Sequence, residues 1–520
     1  MRMHRWWRRQ LVIVGALLAS AAPFLESQDY NEQYRPQVHF SPRHNWTNDP
    51  NGLVYFEGEY HLFFQYNPFG DQWGHMSWGH AVSRDLLHWH ELPVAIPENQ
   101  DGMIFTGSVV VDRNNSSGFC AAGKPCLVAV YTVHAQAANG VRQTQNIAYS
   151  RDRGRTWTRY AKNPVLDLQL ADFRDPSVSW NDEAHRWIMA VSLPKEHKIR
   201  FYASADLKAW TLLSDFGPDG DIAGDWECPD LLRIPASAGS GKSSIWALKV
   251  GLNPGAPQGG SGEQYFLGNF DGTRFTASKE PGAHGWTNYG KDDYCAISFN
   301  GVAKTEEPVL LGWMNNWEYA SKLPTSPWRG QMSLPRRLSF VRNGTGLALR
   351  QEPVTAALRG AVRELPERVP VGTSGEQHGS SIAAPYELQL KFSGSEAEPF
   401  GVRLYSDETH WTEIGFDTKK SVFYIDRTKS EGISAPGFAA RTEAPLAQGR
   451  PYNLYDLRLI VDRSSIEAYA QDGTIAMTDL IFPLSEKSAM QIFPPAAAKN
   501  YAKGHLWVLK PIWNTRPVSK

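Results

Sequence analysis

The sequence predicts an all-β protein, a five-bladed β-propeller followed by a C-terminal β-sandwich. Three observations carry that fold class. Short runs rich in aromatic, branched and leucine side chains recur at residues 61–66, 127–133, 186–192, 244–251 and 309–315, which is the composition of strands. A polar turn and then an aromatic ring follow each of the first four: Ser83-Arg84-Asp85 before Trp89, Ser150-Arg151-Asp152 before Trp157, Ser204-Ala205-Asp206 before Trp210, and Asn269-Phe270-Asp271 before Phe275. Further along, alternating runs such as Tyr386-Glu387-Leu388-Gln389-Leu390-Lys391-Phe392 and Leu457-Arg458-Leu459-Ile460-Val461 take over, and alternation marks a sheet with one buried face.

Taken in order, residues 1–22 read as a secretory leader. Arg2, His4, Arg5, Arg8 and Arg9 precede an uncharged apolar run over 11–22, with small residues at Ala19, Ser20 and Ala21. Such a run falls short of the ~20 residues needed to span a bilayer. The mature chain is therefore expected outside the cytoplasm, secreted or periplasmic, with no membrane segment once the leader is removed; an uncleaved anchor is the alternative. The four turn aspartates stand 67, 54 and 65 residues apart. Five units of that length fit residues 32–340, and four strands per unit around an axis make a propeller with short, protected edges. The units exceed the ~40–50 residues of common propeller repeats, so their loops must be long. Residues 341–358 read as a linker, with helical or linker character over 351–368 between Pro353 and Pro366. The sandwich then occupies 359–520, punctuated by turns at 417–420 and Asp472-Gly473.

Composition narrows the partners. Of 520 residues, 53 are Lys or Arg and 54 are Asp or Glu, a formal charge of −1. That balance argues against phosphate-backbone or anionic-membrane binding, which needs clustered positive charge; no nucleic-acid partner is expected. The 19 tryptophans, 20 tyrosines and 23 phenylalanines suit stacking on sugar rings as well as core packing. Four cysteines are too few for a disulfide scaffold. Cys120 and Cys126 leave two readings open, a disulfide across a short loop or buried free thiols.

Three carboxylates sit beside prolines. Asp49 lies in Trp46-Thr47-Asn48-Asp49-Pro50-Asn51-Gly52, Asp175 in Phe173-Arg174-Asp175-Pro176, and Glu227 in Trp226-Glu227-Cys228-Pro229. Taken singly, each reads as a structural turn more readily than as a catalytic group. Their placement favours more: Asp49 and Asp175 precede the first and third apolar runs by 12 and 11 residues, and Glu227 precedes the fourth by 17. Equivalent positions in successive blades converge at one end of the channel, so the three are expected to share a pocket. Paired carboxyl groups are the minimum apparatus of glycoside hydrolysis. Apolar Trp226 and Cys228, with like-charged Asp225, are expected to raise the Glu227 pKa and make it the acid. Asp49, in a turn with spare N–H groups, is expected to stay ionised as nucleophile, and Arg174 to keep Asp175 charged.

At these residues the sequence resembles glycoside hydrolase family 32, the β-fructofuranosidases that include invertases, inulinases and levanases. The resemblance runs through Asn48 to Gly52, Phe64-Gln65-Tyr66-Asn67-Pro68, Trp73-Gly74-His75, Phe105-Thr106-Gly107-Ser108, Arg174-Asp175-Pro176 and Glu227-Cys228-Pro229-Asp230. It continues through Gly312-Trp313-Met314-Asn315-Asn316-Trp317 and Trp328-Arg329-Gly330, and into the sandwich at Asp462-Arg463-Ser464-Ser465-Ile466-Glu467. It implies a retaining double displacement with Asp49 as nucleophile, Glu227 as acid and then base, and Asp175 as transition-state stabiliser. It also implies sugar contacts at Asn48, Gln65, Trp73, Phe105, Ser108, Arg174, Asp292, Trp313 and Trp328, a fructan or fructo-oligosaccharide substrate, and no metal or organic cofactor. One departure stands out: many members carry an Asp-aromatic-Gly triplet where this chain has Asn288-Tyr289-Gly290. In the family that region touches the leaving-group sugar, so the change points toward exo-hydrolysis of levan or inulin over a dedicated invertase.

The alternatives are a fructosyltransferase or endo-acting enzyme on the same fold, an inverting five-bladed glycosidase, and a silent fructan-binding protein, the last disfavoured by three intact carboxylates. Gly241-Lys242-Ser243 comes close to a phosphate-binding loop, but Ala236 stands where glycine is required and a strand follows instead of a helix; it reads as a hairpin loop. His75 and His80, five apart, lack zinc-helix spacing.

Overall fold

In the computed structural model the five apolar runs lie in the second strands of five antiparallel sheets. The structure describes residues 30–513 except 139, 236–243, 304–305, 344–345, 366–379, 394–397, 406–408, 431–432, 448–453, 485–486 and 494–500. The leader read at 1–22 and the loop 236–243 thus lie outside the described residues. The chain folds as a five-bladed propeller followed by a β-sandwich, as the repeat predicts. The blades begin with Asn45–Phe56, Met103–Asp112, Arg174–Asn181, Asp225–Pro235 and Tyr294–Ser298, and these five first strands adjoin one another in a ring around the axis. Trp328–Arg329 pairs in parallel with Asn45 and Trp46, joining late chain to the first blade and closing the ring.

The repeated aspartates close the turns between third and fourth strands. Asp85 Oδ1 accepts the Leu87 and His88 N–H groups at 3.0 and 2.9 Å, and Asp206 Oδ1 those of Lys208 and Ala209 at 2.9 Å each. Asp271 Oδ1 accepts Thr273 and Arg274 N–H at 2.8 Å, and Asp152 Oδ1 accepts Thr156 N–H at 2.9 Å. A short acidic side chain thus replaces the backbone acceptor a tight turn lacks. Each pair of neighbouring blades buries its own apolar layer. Val54, Phe63 and Trp78 of the first blade pack on Val109 and Leu127 of the second, and the ring ends with Phe40, Leu62 and Phe64 against Ile297 and Val309 of the fifth.

The structure corrects the linker. Residues expected to connect the domains over 341–358 include the outer strands of the fifth blade, Arg336–Asn343 paired with Gly346–Pro353. Ala356–Leu358 is a single 3₁₀ turn, and Arg359–Leu365 is already a sandwich strand, so the helical reading fails over 351–365, while 366–368 lie outside the described residues. Pro353 simply ends a strand, where a missing N–H costs nothing. The sandwich stacks two six-stranded sheets around Leu388, Leu390, Phe416, Phe423, Leu459 and Ile466, the inward residues of its alternating runs. Among the described residues no helix is long and apolar enough to cross a membrane.

Among the described residues, several contacts fix the propeller to the sandwich, two of them prominent. The propeller segment 287–293 lies along Ile475–Leu480, the edge strand of one sheet. Tyr289 N–H donates to Ala476 O at 2.9 Å, Asp292 N–H to Thr478 O at 2.9 Å, and Asn288 exchanges bonds with the Thr478 N–H and hydroxyl at 2.9 and 2.8 Å. Pairing of this kind covers an edge that would otherwise be open. Near the amino-terminal end, fully buried His39 bridges Asp462 at 2.8 Å and Glu467 at 3.2 Å.

Candidate active site

Every innermost strand is interrupted where it approaches the axis. The ladder of the first blade slips between Thr47 and Pro50, and those of the second, fourth and fifth blades slip at Ile104/Gly107, Glu227/Asp230 and Tyr294/Ile297. In the third, the partner strand slips between Ala190 and Ser192, opposite Arg174–Asp175–Pro176. A bulge bends a strand and re-aims a side chain. Asp175 and Cys228 take positive φ values of 64° and 46°, and the prolines after Asp49, Asp175 and Cys228 supply residues that need no ladder donor. The proline motifs expected as tight turns are therefore bulged inner strands; Asn45–Phe56 runs unbroken through Asp49 and Gly52.

The bulges aim Asp49, Asp175 and Glu227 into one electrostatic cluster. Thr106 donates to Asp49 Oδ2 at 3.0 Å. Asp175 Oδ2 accepts the Cys228 N–H at 3.1 Å, and the Asp175 N–H donates to the Thr132 hydroxyl at 3.0 Å. Arg174 Nε and Nη2 donate to Glu227 Oε1 at 3.0 and 2.8 Å, its Nη1 donates to Asp172 at 2.8 Å, and the Tyr294 hydroxyl donates to Glu227 Oε2. Beside Asp175, a cavity of about 20 Å³ lined by Thr106, Ser108, Asp175 and Asp230 has room for about one water molecule and none for a sugar ring. A sugar ring must reach the carboxylates from the opposite side.

The electrostatics differ from the sequence-based expectation. Burial, then the Asp175 and Glu227 charges, push Asp49 up to about 8. Burial also raises Asp175; Glu227 adds to the rise and Arg174 opposes it. Burial disfavours the Arg174 charge, yet Glu227 and Asp175 outweigh it and hold the guanidinium protonated. Glu227 does not sit in an apolar setting. Trp226 packs into Phe216 and Phe266, and Cys228 is held in a disulfide with Cys295, its sulfur 3.8 Å from Asp175 Oδ2. Asp225 is paired with Lys195 at 2.7 Å. One guanidinium thus stands among three carboxylates.

The other expected contacts divide. Asn48 is buried and accepts the Trp46 Nε1–H at 2.8 Å, Gln65 lies buried on the adjacent strand, and the Ser108 hydroxyl accepts the Val178 N–H at 2.9 Å. Trp73 is 45 % exposed and meets half-buried Phe105 edge-on at 6.2 Å, and Phe105 stacks on His134 at 4.5 Å. Three others are enclosed by protein in the structure. Trp313 is fully buried between Trp46 and Trp317, and Trp328 is buried beneath the Arg35 guanidinium, 3.6 Å above its ring. Asp292 is fully buried at the domain interface, accepting from Arg427 at 2.7 Å, Tyr319 at 2.5 Å and the Leu480 N–H. All three are almost fully buried, and Asn288 is equally enclosed. Sequence reasoning missed Tyr294, because the search was for acids; its place at the start of the fifth inner strand was the available signal. It also missed the Cys228–Cys295 disulfide, which links two adjoining inner strands and places its sulfurs within 4.8 Å of the Asp49 carboxylate. Cys120 and Cys126 form a second disulfide. With both thiols of the first pair oxidised, no thiolate is left there to hold a metal.

Comparison with known proteins matches residues 39–353 to the model of the glycosyl hydrolases family 32 N-terminal domain and residues 355–508 to that of the family 32 C-terminal domain. A levanase of Bacillus subtilis is 41% identical over 522 residues, covering 98% of this chain and 76% of that protein. An extracellular exo-inulinase of Aspergillus ficuum is 39% identical over 538 residues, covering 97% of this chain and 99% of that one. Among solved structures, the exo-inulinase of Aspergillus awamori superposes with a TM-score of 0.84 at 37% identity, over 93% of this chain and all of that one. The β-fructofuranosidase of Schwanniomyces occidentalis complexed with fructosyl-erythritol superposes with a TM-score of 0.81 at 33% identity, over 92% of this chain and 98% of that one.

Proposed function

The chain belongs to glycosyl hydrolase family 32 and is a β-fructosidase acting on fructan or sucrose, and on this basis we propose that it removes single fructose units from the ends of levan or inulin with retention of configuration. The observation that carries the reading is the coupled trio Asp49, Asp175 and Glu227 with its Arg174 and Tyr294 partners. In the first step, Asp49 attacks the anomeric carbon of the terminal fructosyl unit while Glu227 passes its proton to the departing glycosidic oxygen. The C–O bond breaks and a fructosyl-enzyme ester forms. In the second step, Glu227 takes a proton from water, which attacks the same carbon and releases Asp49. Asp175, held by the Cys228 N–H, stabilises positive charge developing on the ring.

Exo-action on polymer is supported by the levanase and exo-inulinase relatives. Secretion is supported by the leader expected over 1–22 and by the extracellular designation of the inulinase. The deciding experiment is chromatography of the earliest products from levan, inulin and sucrose, with NMR of the anomer first released. Fructose alone, in the β-form, is expected. A ladder of short oligomers would replace exo- by endo-action, and first release of the α-anomer would exclude the double displacement.

A further inference from the structure

The loop after the second strand of the first blade holds an aromatic ring away from the core. Phe69 is 74 % exposed. Among the most exposed large apolar side chains of the described residues, the aromatic ones are Phe69 and Trp73, both on this loop. A single exposed ring is ordinary, but this one is held in a rigid frame. The Phe69 N–H donates to Asn67 Oδ1 at 2.9 Å, and Asn67 Nδ2 donates to Gln72 O at 2.8 Å. Asp71 pairs with Arg329 at 3.1 Å, and Gly70 O accepts the Trp46 N–H at 3.0 Å, three residues before the nucleophile. The Phe69 ring meets the His75 imidazole edge-on at 5.3 Å, and Glu98 braces that imidazole at 2.5 Å. His75 has a φ of 50°, a conformation a non-glycine residue adopts at some cost. The frame thus forgoes the roughly 2–3 kcal/mol that burying a phenylalanine would contribute, and holds its ring in solvent against His75, on the same loop as Trp73.

We infer that Phe69 is an outer subsite, a platform on which the third sugar unit of a fructan chain, one beyond the reach of sucrose, stacks while the terminal unit occupies the carboxylate pocket. The inference rests on the fructan reading above. The cavity beside Asp175 is too small for a ring, so the remaining chain leaves over the rim. Trp73 touches Phe105, which is next to the nucleophile's partner Thr106, and Phe69 stands further out on the same loop. A flat apolar ring with no hydrogen-bonding group suits the apolar face of a repeating sugar of either linkage.

The test compares KM and kcat of Phe69→Ala with the parent on sucrose and on a series of levan and inulin oligomers of increasing length. The expected result is a KM on long oligomers raised about three- to tenfold, the range for one aromatic contact, with kcat and the sucrose KM unchanged; Phe69→Trp should restore the length dependence. Equal changes on sucrose and long oligomers, or no change on either, would overturn the subsite. Parent protein that hydrolyses none of these substrates would instead overturn the fructan reading, and the subsite with it.

Discussion

Asp49 keeps only a narrow contact with solvent, and the protein packed around it makes its charge expensive. Its carboxyl is raised to about 8 by burial and by Asp175 and Glu227, against an ordinary value near 4. An acid that binds its proton more tightly folded than unfolded contributes most to stability below the unfolded pKa and loses that contribution as pH rises toward the folded one. Asp49→Asn should therefore unfold roughly 2–4 °C higher than the parent at pH 8, with the gap closing by pH 4, while fructose release is abolished and fructan binding persists. Calorimetry at the two pH values checks the first statement, and gel retardation by levan checks the last. A variant less stable than the parent at pH 8 would show that Asp49 is a structural ion, not a strained catalytic one. Asn288 shows why a side-chain identity does not carry its role: read in sequence it replaces a substrate-facing acid, and in the structure it bonds a strand 190 residues away.

At the scale of elements, legibility follows how local the cause is. The Asp85, Asp152, Asp206 and Asp271 turns were readable because each side chain bonds N–H groups two to four residues ahead. The bulges of the inner strands were not, because they answer to five strands crowding one axis; beside a proline they look like turns. The segment 287–293 was misread for the same reason, since its partner is the edge strand Ile475–Leu480. Its contact leaves no room at Gly290, where an added Cβ would lie 2.3 Å from Thr478 O and 2.4 Å from Thr478 N. Both are backbone atoms and cannot rotate away. Gly290→Ala should cost about 2–3 kcal/mol, at the upper end for overpacking, read as a lower urea midpoint; an unchanged midpoint would mean that the two domains separate freely along this edge.

Over the whole molecule, the junction between propeller and sandwich depends on buried charge. Burial opposes a charge on His39, but the hydrogen bonds it donates to Asp462 and Glu467 outweigh it and raise its pKa to about 9. Burial likewise opposes charge on the two carboxylates, and His39 lowers both. The histidine contribution is complete below its unfolded value near 6.5 and is lost as pH rises through 9; the carboxylate contributions are lost on acidification below the ordinary carboxylate range. The junction should be firmest between about pH 5 and 7. His39→Gln leaves two buried carboxylates without their cation, a change that costs about 3–5 kcal/mol in buried pairs. Its melting temperature should fall well below the parent's at pH 6, with the gap narrowing by pH 10. A gap independent of pH would show that His39 acts by packing alone.

The sequence by itself determined the blades, the sandwich and the three carboxylate motifs, because strand composition, alternation and turn aspartates act over a few residues and repeat. Tertiary structure alone decided which aromatics face solvent, burying Trp313 and Trp328 and leaving Trp73 and Phe69 exposed. It also decided that Glu227 meets Arg174 and Tyr294 in place of an apolar wall, and that Asp292 binds the sandwich. Exposure and protonation are set by what lies across space, and here the partners are 53 to 135 residues away along the chain.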